Sequence, residues 1–115
     1  MKRKKEMNEY VIMLLLRVMI MKELSRRQWY AYALVKRLAE YDFIRKIFKS
    51  REEMTYWVYN ALKYLKEANY VKTNTKIKNN RAIVLYSITE HGKESFLHAK
   101  EAWKDAMKRI SEIMG

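Results

Sequence analysis

One stretch of twenty residues, "YVKTNTKIKNNRAIVLYSIT" from Tyr70 to Thr89, alternates with a period of two, and the segments on either side of it do not. A period of two is the spacing of a strand, whereas apolar residues recurring every three or four positions mark a helix. The chain therefore has to seat one β-hairpin among helices. Asn79 and Asn80 stand at the centre of the stretch, and Asn tolerates the positive φ that a two-residue type I′ turn requires. That turn predicts the pairs Lys78–Arg81, Ile77–Ala82, Thr75–Val84, Thr73–Tyr86 and Val71–Ile88. One face then reads Val71, Thr73, Thr75, Ile77, Ala82, Val84, Tyr86 and Ile88, and is expected to be mostly core. The other carries Lys72, Lys76, Lys78 and Arg81 with Asn74 and Ser87, and no acidic residue occurs between Glu67 and Glu90. Ile83 and Leu85 also fall on this basic face, where the alternation alone does not explain them.

The remainder reads as helix. Proline is absent and the only glycines are Gly92 and Gly115, so no flexible linker divides the chain and residues 1–115 form a single domain. A first helix is expected from about Asn8 to Leu24. It is apolar on nearly all sides, which in so small a domain suggests cover from both its own core and a second subunit. Its longest apolar run, Tyr10 to Leu16, is shorter than the ~20 residues of a membrane span and is followed by Arg17. The leading "KRKK", Lys2 to Lys5, has the look of a signal-peptide start, but no small-residue cleavage site follows, so a buried helix of a cytoplasmic protein is expected.

Ser25 is expected to cap a second helix over about Arg26–Tyr41, with Trp29, Ala33, Leu34 and Leu38 facing inward. Residues 42–49 are either its extension or a short separate helix. Ser50 and Glu53 have the spacing of a capping box that opens a helix to about Ala68, and Asn69 stands where a left-handed residue would end it. Thr89 caps a last helix over 90–114, whose Phe96, Ala99, Trp103, Ala106, Ile110 and Ile113 are spaced 3, 4, 3, 4, 3. That is a heptad seam flanked by Lys and Glu, and it predicts a coiled-coil-like dimerisation helix.

The charge narrows the function. Twenty-five Lys and Arg against 13 Asp and Glu leave +12, an excess that suits a polyanionic partner. Cysteine is absent, and His91 and His98 are the only imidazoles, so no metal site or cofactor is expected and both histidines read as solvent-facing. There is no Gly-rich phosphate loop, no nucleophile with a base at motif spacing, and no carboxylate cluster, so an enzyme is not expected.

The order helix, helix, helix, basic hairpin, helix is that of a winged helix-turn-helix domain, mainly α with a β-hairpin wing (α+β), bearing N- and C-terminal dimerisation helices. Within it, "VYNALKYLKEANYV" resembles the recognition-helix segment of the PadR-like transcriptional regulators, which commonly read Leu-Tyr-Pro-Ala-Leu, then a basic-Leu pair, then Gly-Leu-Ile. Val58, Tyr59, Ala61, Leu62, Leu65 and Val71 stand at matching positions; Asn60 replaces the usual Pro, Asn69 the usual Gly and Trp57 a small residue. "LYSITEHGKESF" is similar to the wing ending of PadR-like and related families through Tyr86, Ile88, Thr89 and Gly92. "YALVKRL" more weakly resembles the family's second helix, so the similarity covers roughly residues 28 to 97. Small archaeal winged-helix proteins, including chromatin proteins that dimerise by a C-terminal coiled coil, share the layout, and the Lys-, Tyr- and Ile-rich composition would suit a thermophilic archaeon or its viruses.

The resemblance implies a homodimeric, nucleoid-associated regulator that binds double-stranded DNA. At 100° per residue, Met54, Val58, Ala61, Leu62 and Leu65 turn to the core, with Trp57 and Tyr64 at its edge. Tyr56, Asn60, Lys63 and Glu67 turn away, with Tyr59 on the flank. In the helix-turn-helix plan this outward face enters the major groove, where Asn pairs with adenine and Lys or Arg51 meets guanine or phosphate. Lys72, Lys76, Lys78, Asn79, Asn80 and Arg81 would meet the backbone or the adjacent minor groove. Tyr10 and Leu14 of the first helix would join the seam of the last one, Phe96 to Ile113, in the dimer. An architectural DNA-binding protein of low specificity and a winged-helix protein-interaction module are the alternatives.

Overall fold

The computed structural model describes residues 8–115; the Lys2–Lys5 tail lies outside them. Asn8 opens the first helix, α1 (Glu9–Arg26), by accepting the Tyr10 N–H on its side chain at 2.7 Å. After it come a two-residue strand β1 (Trp29–Tyr30), α2 (Ala31–Leu38), a single turn α3 (Asp42–Arg45) and the long α4 (Arg51–Glu67). The hairpin β2 (Val71–Lys78) and β3 (Arg81–Ile88) leads into α5 (Glu90–Met114).

Local chemistry sets most of these boundaries. Ser50 Oγ accepts the Glu53 N–H at 3.1 Å, and the Glu53 carboxylate in turn accepts the Lys49 N–H at 2.7 Å, one residue before the cap. Asn69 ends α4 at φ 67°, and the turn residues Asn79 and Asn80 adopt φ 53° and 62°. The hairpin register follows from that turn, with every predicted pair from Lys78–Arg81 to Val71–Ile88 in place. Thr89 Oγ1 accepts the Gly92 N–H at 2.9 Å and opens α5. The one-turn α3 is held by Asp42, which lies between Arg45 and Lys46; the Lys46 hydrogen bond is the main reason its carboxyl sits below the usual range.

The second helix differs from the sequence reading. Ser25 does not cap it: Ser25 follows Leu24 inside α1, and its hydroxyl donates to the Lys22 carbonyl at 2.6 Å. Trp29 and Tyr30 are extended and pair with Tyr86 and Leu85, giving a three-stranded antiparallel sheet of order β1-β3-β2. The helix therefore starts only at Ala31 and stops at Leu38, and Trp29 reaches the core from a strand instead of from a helical face. The third strand also supplies a neighbour for Leu85, because Tyr30 stands opposite it.

The core gathers α1 (Ile12, Leu16, Ile20, Leu24), α2 (Leu34, Val35, Leu38), Ile44, the inner face of α4 (Met54, Val58, Ala61, Leu62, Leu65), and the base of the hairpin at Val71 and Ile88. Only that base is covered. Of the hairpin face expected to be core, Thr75, Ile77, Ala82 and Val84 lie beyond the reach of α4 and are exposed, Ile77 by 74%. Gly92 fits where α5 leaves the sheet, since a Cβ there would stand 2.2 Å from the Tyr70 carbonyl oxygen.

Candidate nucleic-acid interface

α4 has two faces. Its buried strip fixes it against α1 and α2, and Trp57 is half-buried at the edge with its ring 6.0 Å from Phe48. Tyr64, at the other end of that edge, lies under the Arg17 guanidinium at 3.6 Å from ring centroid to charge centre. This ring contact accommodates a charge inside an apolar helix; Arg17 Nε is buried with no hydrogen-bond partner. The outer face carries Arg51, Tyr56, Tyr59, Asn60 and Lys63, all exposed. Among the described residues, the side chains of Arg51, Tyr56, Asn60 and Lys63 make no hydrogen bond or ion pair within the chain, so their donors and acceptors are available to a partner.

The hairpin stands beside this face. Tyr86 lies on the side of the sheet that packs against the core, and burial there, with the neighbouring Tyr59 second, pushes its phenol above its ordinary value. Lys72, Lys76, Lys78 and Arg81 alternate with that side and so share the opposite one. All four are exposed, as are Asn79 and Asn80 at the tip. The sheet order makes β2, with all three of these lysines, an edge strand. Long basic side chains there discourage edge-to-edge pairing and also form a flexible cationic rim.

Three residues absent from the sequence reading complete this surface. Tyr32 in the first turn of α2, Val35 behind it, and Thr55 of α4 line a cleft of about 80 Å³ together with Arg51 and Tyr59. Arg51, Thr55 and Tyr59 are spaced four apart and so form one strip along α4. That spacing was the available signal, but it acquires meaning only once Tyr32 is set against it by the late start of α2.

The expected dimer residues sit on two other surfaces. Tyr10 and Leu14 are exposed on α1 together with Val11 and Val18. On α5, Phe96 is half-buried against the domain's own core, Ala106 is half-buried, and Ala99, Trp103, Ile110 and Ile113 are exposed. His98 is exposed; His91 is exposed too, but its ring stacks on Tyr70 at 4.8 Å.

No protein-family model matches the sequence, and no curated protein matches it. Solved structures do match. A PadR-like transcription factor from Bacteroides fragilis superposes with a TM-score of 0.75 at 17% identity, covering 91% of this chain and 95% of that one. The chain has the PadR-like winged-helix fold. A PadR-like regulator from Bacillus cereus gives a TM-score of 0.70 at 19% identity over 91% and 96% of the two chains. Bacillus subtilis PadR, solved in complex with operator DNA, gives 0.60 at 16% identity over 73% of this chain and 45% of its own. No described helix is long and apolar enough to cross a membrane, and no group of three His, Cys, Asp or Glu among the described residues could hold a metal ion.

Proposed function

We propose that this chain is a homodimeric transcriptional regulator that reads a specific sequence in double-stranded DNA. α4 lies in the major groove with Tyr56, Asn60 and Lys63 toward the base edges and Arg51 at a guanine or phosphate. Lys72, Lys76, Lys78 and Arg81, with the Asn79–Asn80 tip, follow the backbone into the neighbouring minor groove. The observation that carries this reading is the outer face of α4, whose polar side chains are exposed and unpaired beside a hairpin without an acidic group. The likeness to a PadR solved on its operator supports the same docking geometry.

Dimerisation supplies the second reader. α5 runs 25 residues, about 37 Å at 1.5 Å per residue, and beyond Phe96 its apolar seam has almost no cover from its own domain. Trp103 is 68% exposed, an unusual state for an indole in a lone domain. The exposed α1 stripe of Tyr10, Leu14 and Val18 adds to the same unburied area. A second copy covers both, and sets two α4 helices about one turn of DNA apart.

A mobility-shift experiment with genomic fragments tests the reading. The triple variant Lys76→Ala, Lys78→Ala, Arg81→Ala is expected to weaken binding strongly at physiological salt. Undiminished binding by that variant would take the wing out of the contact, and a native protein that binds no fragment would move the assignment toward a protein-interaction module.

A further inference from the structure

We infer that the cleft between α2 and α4 receives the 5-methyl group of a thymine at the edge of the major groove. The inference rests on the DNA-reading assignment and adds a base and a position to it. Tyr59 belongs both to the cleft and to the outer face of α4, and Tyr32 at its mouth is 73% exposed, so the cleft opens beside the surface that would face DNA. Its lining is apolar in character. Val35 is the one buried lining residue, two phenol rings stand beside it, and the Thr55 hydroxyl is already committed to the Arg51 carbonyl at 2.8 Å.

The lining selects the occupant. A cleft of about 80 Å³ has room for a methyl group, and its buried valine, two rings and already-bonded hydroxyl leave an apolar group as the one that loses least on entering it. A phosphate oxygen would desolvate against Val35 and two rings with Arg51 as the only charge to pair it. Thymine is the base that presents a methyl in the major groove, and threonine and ring surfaces are suited to it. The Arg51 guanidinium at the rim adds attraction for the surrounding polyanion without filling the cleft.

Thymine-to-uracil replacement isolates the methyl. Duplexes are first selected from a randomised pool by the native protein, then remade with uracil at one thymine position at a time. At one thymine in each half-site, affinity is expected to fall about fourfold, the value of one buried methyl. Tyr32→Ala removes an exposed wall and is expected to abolish that sensitivity while still binding the selected duplex. Tyr32→Phe, which keeps the ring, is expected to retain it. Selected sites that share no thymine, or that are indifferent to uracil throughout, overturn the inference and leave the DNA assignment standing. So does a Tyr32→Ala protein with undiminished uracil sensitivity, or a Tyr32→Phe protein that loses it. Selection that yields no bound duplex removes the DNA assignment, and the thymine site with it.

Discussion

The Tyr41 hydroxyl donates a 2.8 Å hydrogen bond to Oε2 of Glu23, a carboxylate only 1% exposed. Arg37 donates to the other oxygen at 3.1 Å, and the Trp29 indole N–H donates to the Glu23 carbonyl at 3.1 Å. α1 is thereby pinned to β1, to the end of α2 and to the residue that precedes α3. The hydrogen bonds Arg37 donates to Glu40 first, and to Glu23 second, hold its guanidinium above its ordinary range. Replacing Glu23 by Ala leaves the half-buried Tyr41 phenol without its acceptor, while Arg37 keeps Glu40 and partial access to water. The expected loss is about 2–3 kcal/mol of folding stability, with about 1 kcal/mol for Tyr41→Phe. Urea unfolding measures both, and an unchanged midpoint for Glu23→Ala would refute the pinning role.

Gly92→Ala places a Cβ 2.2 Å from the Tyr70 carbonyl oxygen and 2.8 Å from Ile88 Cγ1. Backbone has to move at the junction of the sheet and α5. A cost of about 2–3 kcal/mol is expected, seen as a melting temperature lower by roughly 10 °C. Calorimetry decides it.

The hairpin turn discriminates between residue types. Asn80 at φ 62° is expected to accept Gly with little change and to lose about 1–2 kcal/mol as Val, whose branched side chain resists a left-handed backbone. Equal stability of the Gly and Val variants in chemical denaturation would rule out the type I′ geometry.

Trp103→Glu combined with Ile110→Glu puts two charges into the α5 seam at residues exposed within one protomer. Light scattering is expected to give twice the 14.1 kDa chain mass for the native protein and the single-chain mass for the variant, with the fold retained. A native protein that stays monomeric at high concentration would contradict the dimer.

Wing contacts are read from salt. Each phosphate contact removed with Lys76, Lys78 or Arg81 is expected to reduce the log–log salt slope of DNA binding by about 0.9. A slope unchanged in the triple variant would mean that these cations lie in solvent even in the complex.

The caps at Ser50 and Thr89, the left-handed Asn69 and the whole β2–β3 register were legible in the sequence, because each is decided by residues within a few positions of one another. The start of α2 was not. Trp29 and Tyr30 are extended because β3, more than fifty residues later, offers them a partner, and that pairing overrides a local pattern compatible with helix. Burial of the hairpin also escaped, since alternation marks which residues share a face but not how far α4 extends over it; hence Ile77 and Val84 lie in solvent. The Glu23 partners, 14 and 18 positions away, carried no local sign either. At the interface, the outward residues of α4 followed from helical spacing, whereas the cleft needed Tyr32 placed by tertiary structure.

The most direct measurement is competition between a selected duplex and random DNA for the native protein at physiological salt. A specific DNA reader is expected to prefer the selected duplex by at least about 10³-fold, and Asn60→Ala to relax that preference at one base position. A ratio near one would contradict sequence-specific reading by α4 and leave an architectural DNA-binding protein in its place.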